Sequence, residues 1–189
     1  MFRRNIIPNI LTFSRIIIIP IIVASFFFEN NIFARKLAAV LFIIASITDF
    51  FDGYLARIWQ SQSNLGRFLD PIADKLLVGA IILMLVHAGR ADIVPSLLII
   101  CREILVSGLR EFLAELRVSI PVTGLAKIKT TIQMLAIFLL LLGNEATHLP
   151  FIDLIARITL WIAAILTIIT GYAYLKAGIK YIAQEDDQA

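Results

Sequence analysis

Residues 49–74 read DFFDGYLARIWQSQSNLGRFLDPIAD, and this stretch decides how the rest of the chain is understood. Asp49 and Asp52 close one long apolar run, Asp70 and Asp74 open the next, and the polar residues Gln60, Ser61, Gln62, Ser63 and Asn64 lie between them. A helix of about 20 apolar residues crosses a bilayer, so the stretch reads as two membrane helices joined by a turn over 57–65. At about 100° per residue, Asp49, Asp52, Gly53 and Ala56 fall at about 0°, 300°, 40° and 340°, which puts two carboxylates and two small residues on one stripe. Gly66, Asp70 and Asp74 follow one another at i+4 steps and form a second stripe. Packed antiparallel, the two helices point four carboxylates at one another.

Carboxylates in that position are costly. A single Asp near a bilayer centre costs roughly 2.5–3.5 kcal/mol on insertion scales, so four of them within 26 positions call for positive charge among them. Two divalent cations cancel four negative charges, and all-oxygen ligation favours Mg²⁺, Mn²⁺ or Ca²⁺ over Zn²⁺. Gly53, Ala56 and Gly66 keep the helix surfaces low, so that a phosphate or nucleotide can come close. A two-metal site with room for phosphates suits an in-line displacement at phosphorus. The competing reading is a proton or cation pathway in an ion-coupled transporter. It fits acids scattered over separate helices better than the fixed spacing D-x2-D-G-x2-A-R-x8-G-x3-D-x3-D seen here.

Outward from this hairpin, the composition is that of a membrane protein. Of 189 residues, 60% are apolar and 16% charged, with a mean hydropathy of +0.91, against about 45–50% and 25% in soluble chains. Six runs, at 6–28, 33–56, 72–88, 93–114, 122–142 and 151–175, are expected to span the membrane, leaving one all-α domain over 1–189 with a flexible tail at 184–189. The first run lacks a small-x-small cleavage site and carries Asn9, Thr12 and Arg15, so it reads as a retained helix and not as a secretory signal. With the N-terminus in the cytoplasm, that side holds eleven Lys and Arg against three outside, the bias of the positive-inside rule. The net charge of +3 therefore reads as anchoring to anionic lipid headgroups and not as nucleic-acid binding. A lone Cys101 and two distant histidines, His87 and His148, make a His/Cys metal cage or a Ser-His-Asp triad a poor fit.

Asp49, Asp52, Gly53, Ala56, Arg57, Gly66, Asp70 and Asp74 resemble the complete signature of the CDP-alcohol phosphatidyltransferases. That resemblance implies a six-helix membrane fold, usually homodimeric, which moves a phosphatidyl group from CDP-diacylglycerol to an alcohol and releases CMP. It implies that the four aspartates hold two divalent metals, Mg²⁺ or Mn²⁺. Asp74 would serve also as general base, and Gly53, Ala56, Arg57 and Gly66 would contact the CDP moiety. Three further segments resemble the group within the family that uses sn-glycerol 3-phosphate, the bacterial phosphatidylglycerophosphate synthases: Asn5 to Thr12 with Arg15, Arg102-Glu103-Ile104 through Arg110-Glu111, and Lys127-Ile128-Lys129-Thr130. In this chain Ala126 stands where a glycine commonly precedes the first lysine. The resemblance places the protein in a bacterial inner membrane with its site facing the cytoplasm. Serine, an inositol phosphate or phosphatidylglycerol are the alternative acceptors.

A phosphorylated acceptor also makes a physical demand. It brings up to two negative charges to a site already occupied by a pyrophosphate, and only cations beyond the metals could bind it. Arg102, Arg110, Lys127 and Lys129 are the available residues. Arg102 and Arg110 lie about 80° apart around a helix and about 12 Å apart along it, so they cannot grip one phosphate in the same way. Arg102 lies in an apolar run and either binds phosphate or pairs with an acid on another helix. Arg110 has the fork geometry and the depth for phosphate. Lys127 and Lys129 either join it or anchor the fifth span, Arg15 either snorkels or lines the cavity, and Arg157 reads as structural.

Overall fold

The computed structural model describes residues 2–186 apart from 29, 30, 60–63, 117, 119 and 122, with side chains described for 13–28, 31–48, 66, 68–116, 118, 120, 121 and 123–182. Among the described residues six α-helices follow in chain order: α1 (Phe2–Ser25), α2 (Ile32–Trp59), α3 (Asn64–His87), α4 (Ile93–Glu115), α5 (Gly124–Thr147) and α6 (Ile152–Asp186), with a 3-10 turn at Phe26–Phe28 after α1. Among the described residues there is no strand.

The helices run up and down, α1 against α2 and α3, α5 against α6, α4 against α6 and α2 against α5. The core joins Ile22 and Phe42 to Leu77, Ile81, Leu85, Ile99, Ile137, Leu141 and Leu160, with Ala38, Ala39, Ala45, Ala136, Ala156, Ala163 and Ala164 between them. Small residues at these contacts let helix backbones approach closely, the main source of association where lipid removes the hydrophobic drive. The outward faces stay apolar, as Ile158, Ile162, Ile165 and Ile169 on α6 illustrate. A helix apolar all round is one that lies in lipid or in a large core.

Among the described residues, Gly124–Thr147 and Ile152–Ile182 are long and apolar enough on their own to cross a membrane, and Phe13–Phe28 is a shorter apolar helix. The helices overrun the apolar runs seen in the sequence. α3 begins at Asn64, eight residues ahead of the run at 72, and carries Pro71 within it. α2 continues to Trp59, and α6 stays helical as far as Asp186, through the first three residues of the tail expected at 184–189, while 187–189 lie outside the described residues.

The run expected to end at 142 stops at a real break: Gly143 has φ +67° and ψ 177° inside α5. A Cβ there would lie 3.1 Å from Asp153 Oδ1 and 3.4 Å from Arg35 Nη1, so glycine supplies both the left-handed φ and the space. Around it one end of the bundle is tied by polar contacts. Arg35 pairs with Glu145 at 2.8 Å. The Asn144 and Asp153 backbone N–H groups each donate to the other residue's side-chain oxygen, at 3.1 and 3.0 Å. Asp92 accepts from Trp161 Nε1 at 2.9 Å and from Arg157 at 3.3 Å, while Arg157 also donates to the Gly89 carbonyl at 2.9 Å. Arg157 is thereby a fastener between α6 and the α3–α4 connection, the structural role its isolation in the sequence suggests.

Candidate active site

At the opposite end of the bundle, α3 and α4 enclose a cavity of about 360 Å³. Its lining follows directly from helical periodicity. Asp70, Pro71, Asp74 and Lys75 on α3 are spaced i, i+1, i+4, i+5, and Arg102, Glu103, Val106, Ser107, Arg110 and Glu111 on α4 repeat that spacing twice. Each set is one face of its helix, so two polar stripes oppose one another across the space.

The α3 wall carries Asp70 and Asp74 one turn apart, with the buried Gly66 a turn earlier. Asp74 is gripped from behind by Arg15 of α1, whose side chain is fully buried while the Asp74 side chain is 44% exposed. Arg15 thus contacts the site and does not snorkel to an interface. The side chains of residues 2–12 of α1 lie outside the described residues, as do those of Asp49, Asp52, Gly53, Ala56 and Arg57, although the α2 backbone through 59 is helical.

The α4 wall is a chain of charge pairs. Glu103 accepts from Lys129 of α5, whose side chain is 2% exposed, and lies 3.4 Å from Arg102 Nη1. Arg102 also lies 3.4 Å from Thr170 Oγ1 on α6. Its ion-pair partner is therefore the adjacent Glu103, and its contact across helices is to a hydroxyl, not to the acid on another helix that the sequence allowed. Lys75 bonds Ser107 and lies 3.5 Å from Glu111, to which Ser107 donates at 3.2 Å. Arg110 is exposed and stands over the Tyr174 ring of α6 at 5.7 Å from its centroid.

The structure brings together four of the twelve residues singled out in the sequence, Asp70, Asp74, Arg102 and Arg110, around one cavity. Lys129 touches this wall through Glu103. Lys127 is exposed on the first turn of α5 and is not among the lining residues. Lys75, Ser107, Glu111 and Tyr174 were not singled out in advance. The i, i+4, i+8 ladder Glu103, Ser107, Glu111 in α4 is the signal that finds Ser107 and Glu111, and Lys75 follows Asp74 on the α3 face. Among the described residues no three His, Cys, Asp or Glu side chains come together to hold a metal. Asp70 and Asp74 are two carboxylates on one cavity face, and that hard-oxygen chemistry fits Mg²⁺ or Mn²⁺.

A family model described as CDP-alcohol phosphatidyltransferase matches residues 5–169. The chain belongs to the CDP-alcohol phosphatidyltransferase family. Curated relatives agree over nearly its whole length. A CDP-diacylglycerol–glycerol-3-phosphate 3-phosphatidyltransferase of Rickettsia felis is 54% identical over 93% of this chain and 96% of its own. Proteins of the same name from Pectobacterium atrosepticum and Cereibacter sphaeroides are 41% and 39% identical, covering 90% and 95% of this chain and 93% and 98% of their own. Within this CDP-alcohol phosphatidyltransferase, the α3 stripe that lines the cavity is the second half of the signature quoted at the outset, and the α4 stripe lies outside that signature.

Proposed function

We propose that the protein transfers the phosphatidyl group of CDP-diacylglycerol to sn-glycerol 3-phosphate, giving phosphatidylglycerophosphate and CMP. The observation that carries this reading is the facing of Asp70 and Asp74 by Arg102 and Arg110 across one cavity, in a chain whose relatives bear the name of that activity. Arginine forks on one wall suit a phosphorylated acceptor, whereas serine brings a single carboxylate with a neighbouring ammonium and no phosphate.

In this reading Asp49, Asp52, Asp70 and Asp74 hold two divalent cations, Mg²⁺ or Mn²⁺, which when bound neutralise charge on the pyrophosphate. Gly53, Ala56, Arg57 and Gly66 contact the CDP moiety. Arg110 and Arg102 hold the acceptor phosphate, with Lys129 acting through Glu103 and Lys127 at the rim. Asp74, oriented by Arg15, accepts the proton of the glycerol hydroxyl as its oxygen attacks the phosphorus bearing diacylglycerol and the bond to CMP breaks. An aspartate has an ordinary pKa near 3.9, so the alternative division of labour is that Asp74 orients the hydroxyl and does not take its proton.

The six helices are taken to span a bacterial inner membrane as a homodimer, with the cavity end toward the cytoplasm, where the Lys and Arg bias puts it. The test is to supply purified protein with labelled CDP-diacylglycerol, Mg²⁺ and glycerol 3-phosphate, serine, an inositol phosphate or phosphatidylglycerol. CMP release with glycerol 3-phosphate alone is the expected result. Release with another alcohol reassigns the acceptor, and no release with any of them overturns the reading.

A further inference from the structure

Resting on the acceptor-phosphate reading of Arg102 and Arg110, we infer that the face of α6 made by Gly171, Tyr174 and Gly178 is a positioning surface that fixes those two arginines and so sets the affinity for the acceptor. The three residues lie within about 60° of one another on the helix, and all lie beyond residues 5–169 matched by the family model. None of them lines the cavity. They act from behind α4.

A Cβ on Gly171 would lie 2.9 Å from Arg102 Cγ and 3.6 Å from its Nε. Cγ is the root of that side chain, so relief requires rotating the whole guanidinium off its contacts with Glu103 and Thr170. A Cβ on Gly178 would lie 2.7 Å from Leu109 Cδ2, which sets how closely α4 approaches α6 next to Arg110. Tyr174 presents its ring to the Arg110 guanidinium at 5.7 Å. Arg110 is otherwise an exposed, flexible cation, and restricting it before the ligand arrives lowers the ordering cost of gripping a phosphate.

The experiment is steady-state kinetics of the full chain in micelles, varying glycerol 3-phosphate and CDP-diacylglycerol in turn. Tyr174→Ala raises KM for glycerol 3-phosphate about two- to fivefold, the size of an exposed cation–π contact, and leaves kcat and KM for CDP-diacylglycerol unchanged. Tyr174→Phe, which keeps the ring, behaves as wild type. Gly171→Ala raises the same KM, and Arg110→Ala/Tyr174→Ala is no worse than Arg110→Ala because the two act as a unit. If Arg110→Ala raises KM for glycerol 3-phosphate and Tyr174→Ala does not, the inference fails and the proposed function stands. If Tyr174→Ala alters both KM values and kcat alike, Tyr174 is merely structural and the inference fails. If Arg110→Ala itself leaves that KM unchanged, the acceptor-phosphate reading falls and takes the inference with it.

Discussion

The two ends of the bundle use charge in opposite ways. At the end where α2 and α6 begin, the charged side chains pair between different elements: Arg35 to Glu145, Asp153 to Asn144, and Arg157 and Trp161 to Asp92. These groups sit at the rim of the apolar core and close on one another, and the cavity that Arg35 lines there is only about 10 Å³. At the other end the charges stand in two stripes around a cavity of about 360 Å³, and Arg102–Glu103 and Ser107–Glu111 pair along one helix. A polar cluster that exists for stability satisfies itself. One that exists to receive a charged ligand keeps volume in front of its charges and buries the groups that support them, as Arg15 and Lys129 are buried behind Asp74 and Glu103.

The contrast can be broken most severely at Asp74. Asp74→Asn is expected to cut CMP release about 10²- to 10⁴-fold, the range of a general acid or base, while the variant still binds nucleotide. Radiometric turnover beside a CDP binding titration measures both, and near-normal turnover would remove the base role.

Next in size is Glu103→Gln, which strands the buried Lys129 ammonium beside Arg102. Uncompensated buried charges cost about 3–5 kcal/mol, so a large drop in Tm is expected, with part of it restored in Glu103→Gln/Lys129→Met. Thermal unfolding of both variants in the same detergent checks this.

Arg110→Ala should raise KM for glycerol 3-phosphate about 10- to 100-fold, the loss of one or two charge-assisted hydrogen bonds, with Tm unchanged. At the far end Arg157→Ala removes an exposed pair worth about 1 kcal/mol or less. It should lower Tm by only a few degrees and leave both KM values as they were. A kinetic effect from Arg157→Ala would mean that the two ends are coupled and not separate.

The apolar runs and the hairpin spacing made six helices and the α3 stripe legible from the sequence, because bilayer length and the 3.6-residue period are written locally. Helix ends were less legible. The turn read over 57–65 is helical at both of its ends, because α2 runs on to Trp59 and α3 begins at Asn64, and the helix continues through Pro71 to carry Asp70 into place. Hidden from the sequence altogether was the pairing across helices. Lys129 reads as a phosphate-binding cation or an anchor until Glu103 is seen beside it, and nothing local to α4 says that α6 backs it. The glycines at 171 and 178, seven residues apart on one face with Tyr174 between them, were the available sign that another helix lies close there.

Arg15 gives the front of the chain a standing that its hydropathy conceals. The opening helix could pass for a generic signal-anchor, but its Arg15 is the hand that holds the Asp74 carboxylate from behind. Exchanging that helix for another of equal greasiness would keep its apolar face and leave the Asp74 carboxylate without the cation that steadies it.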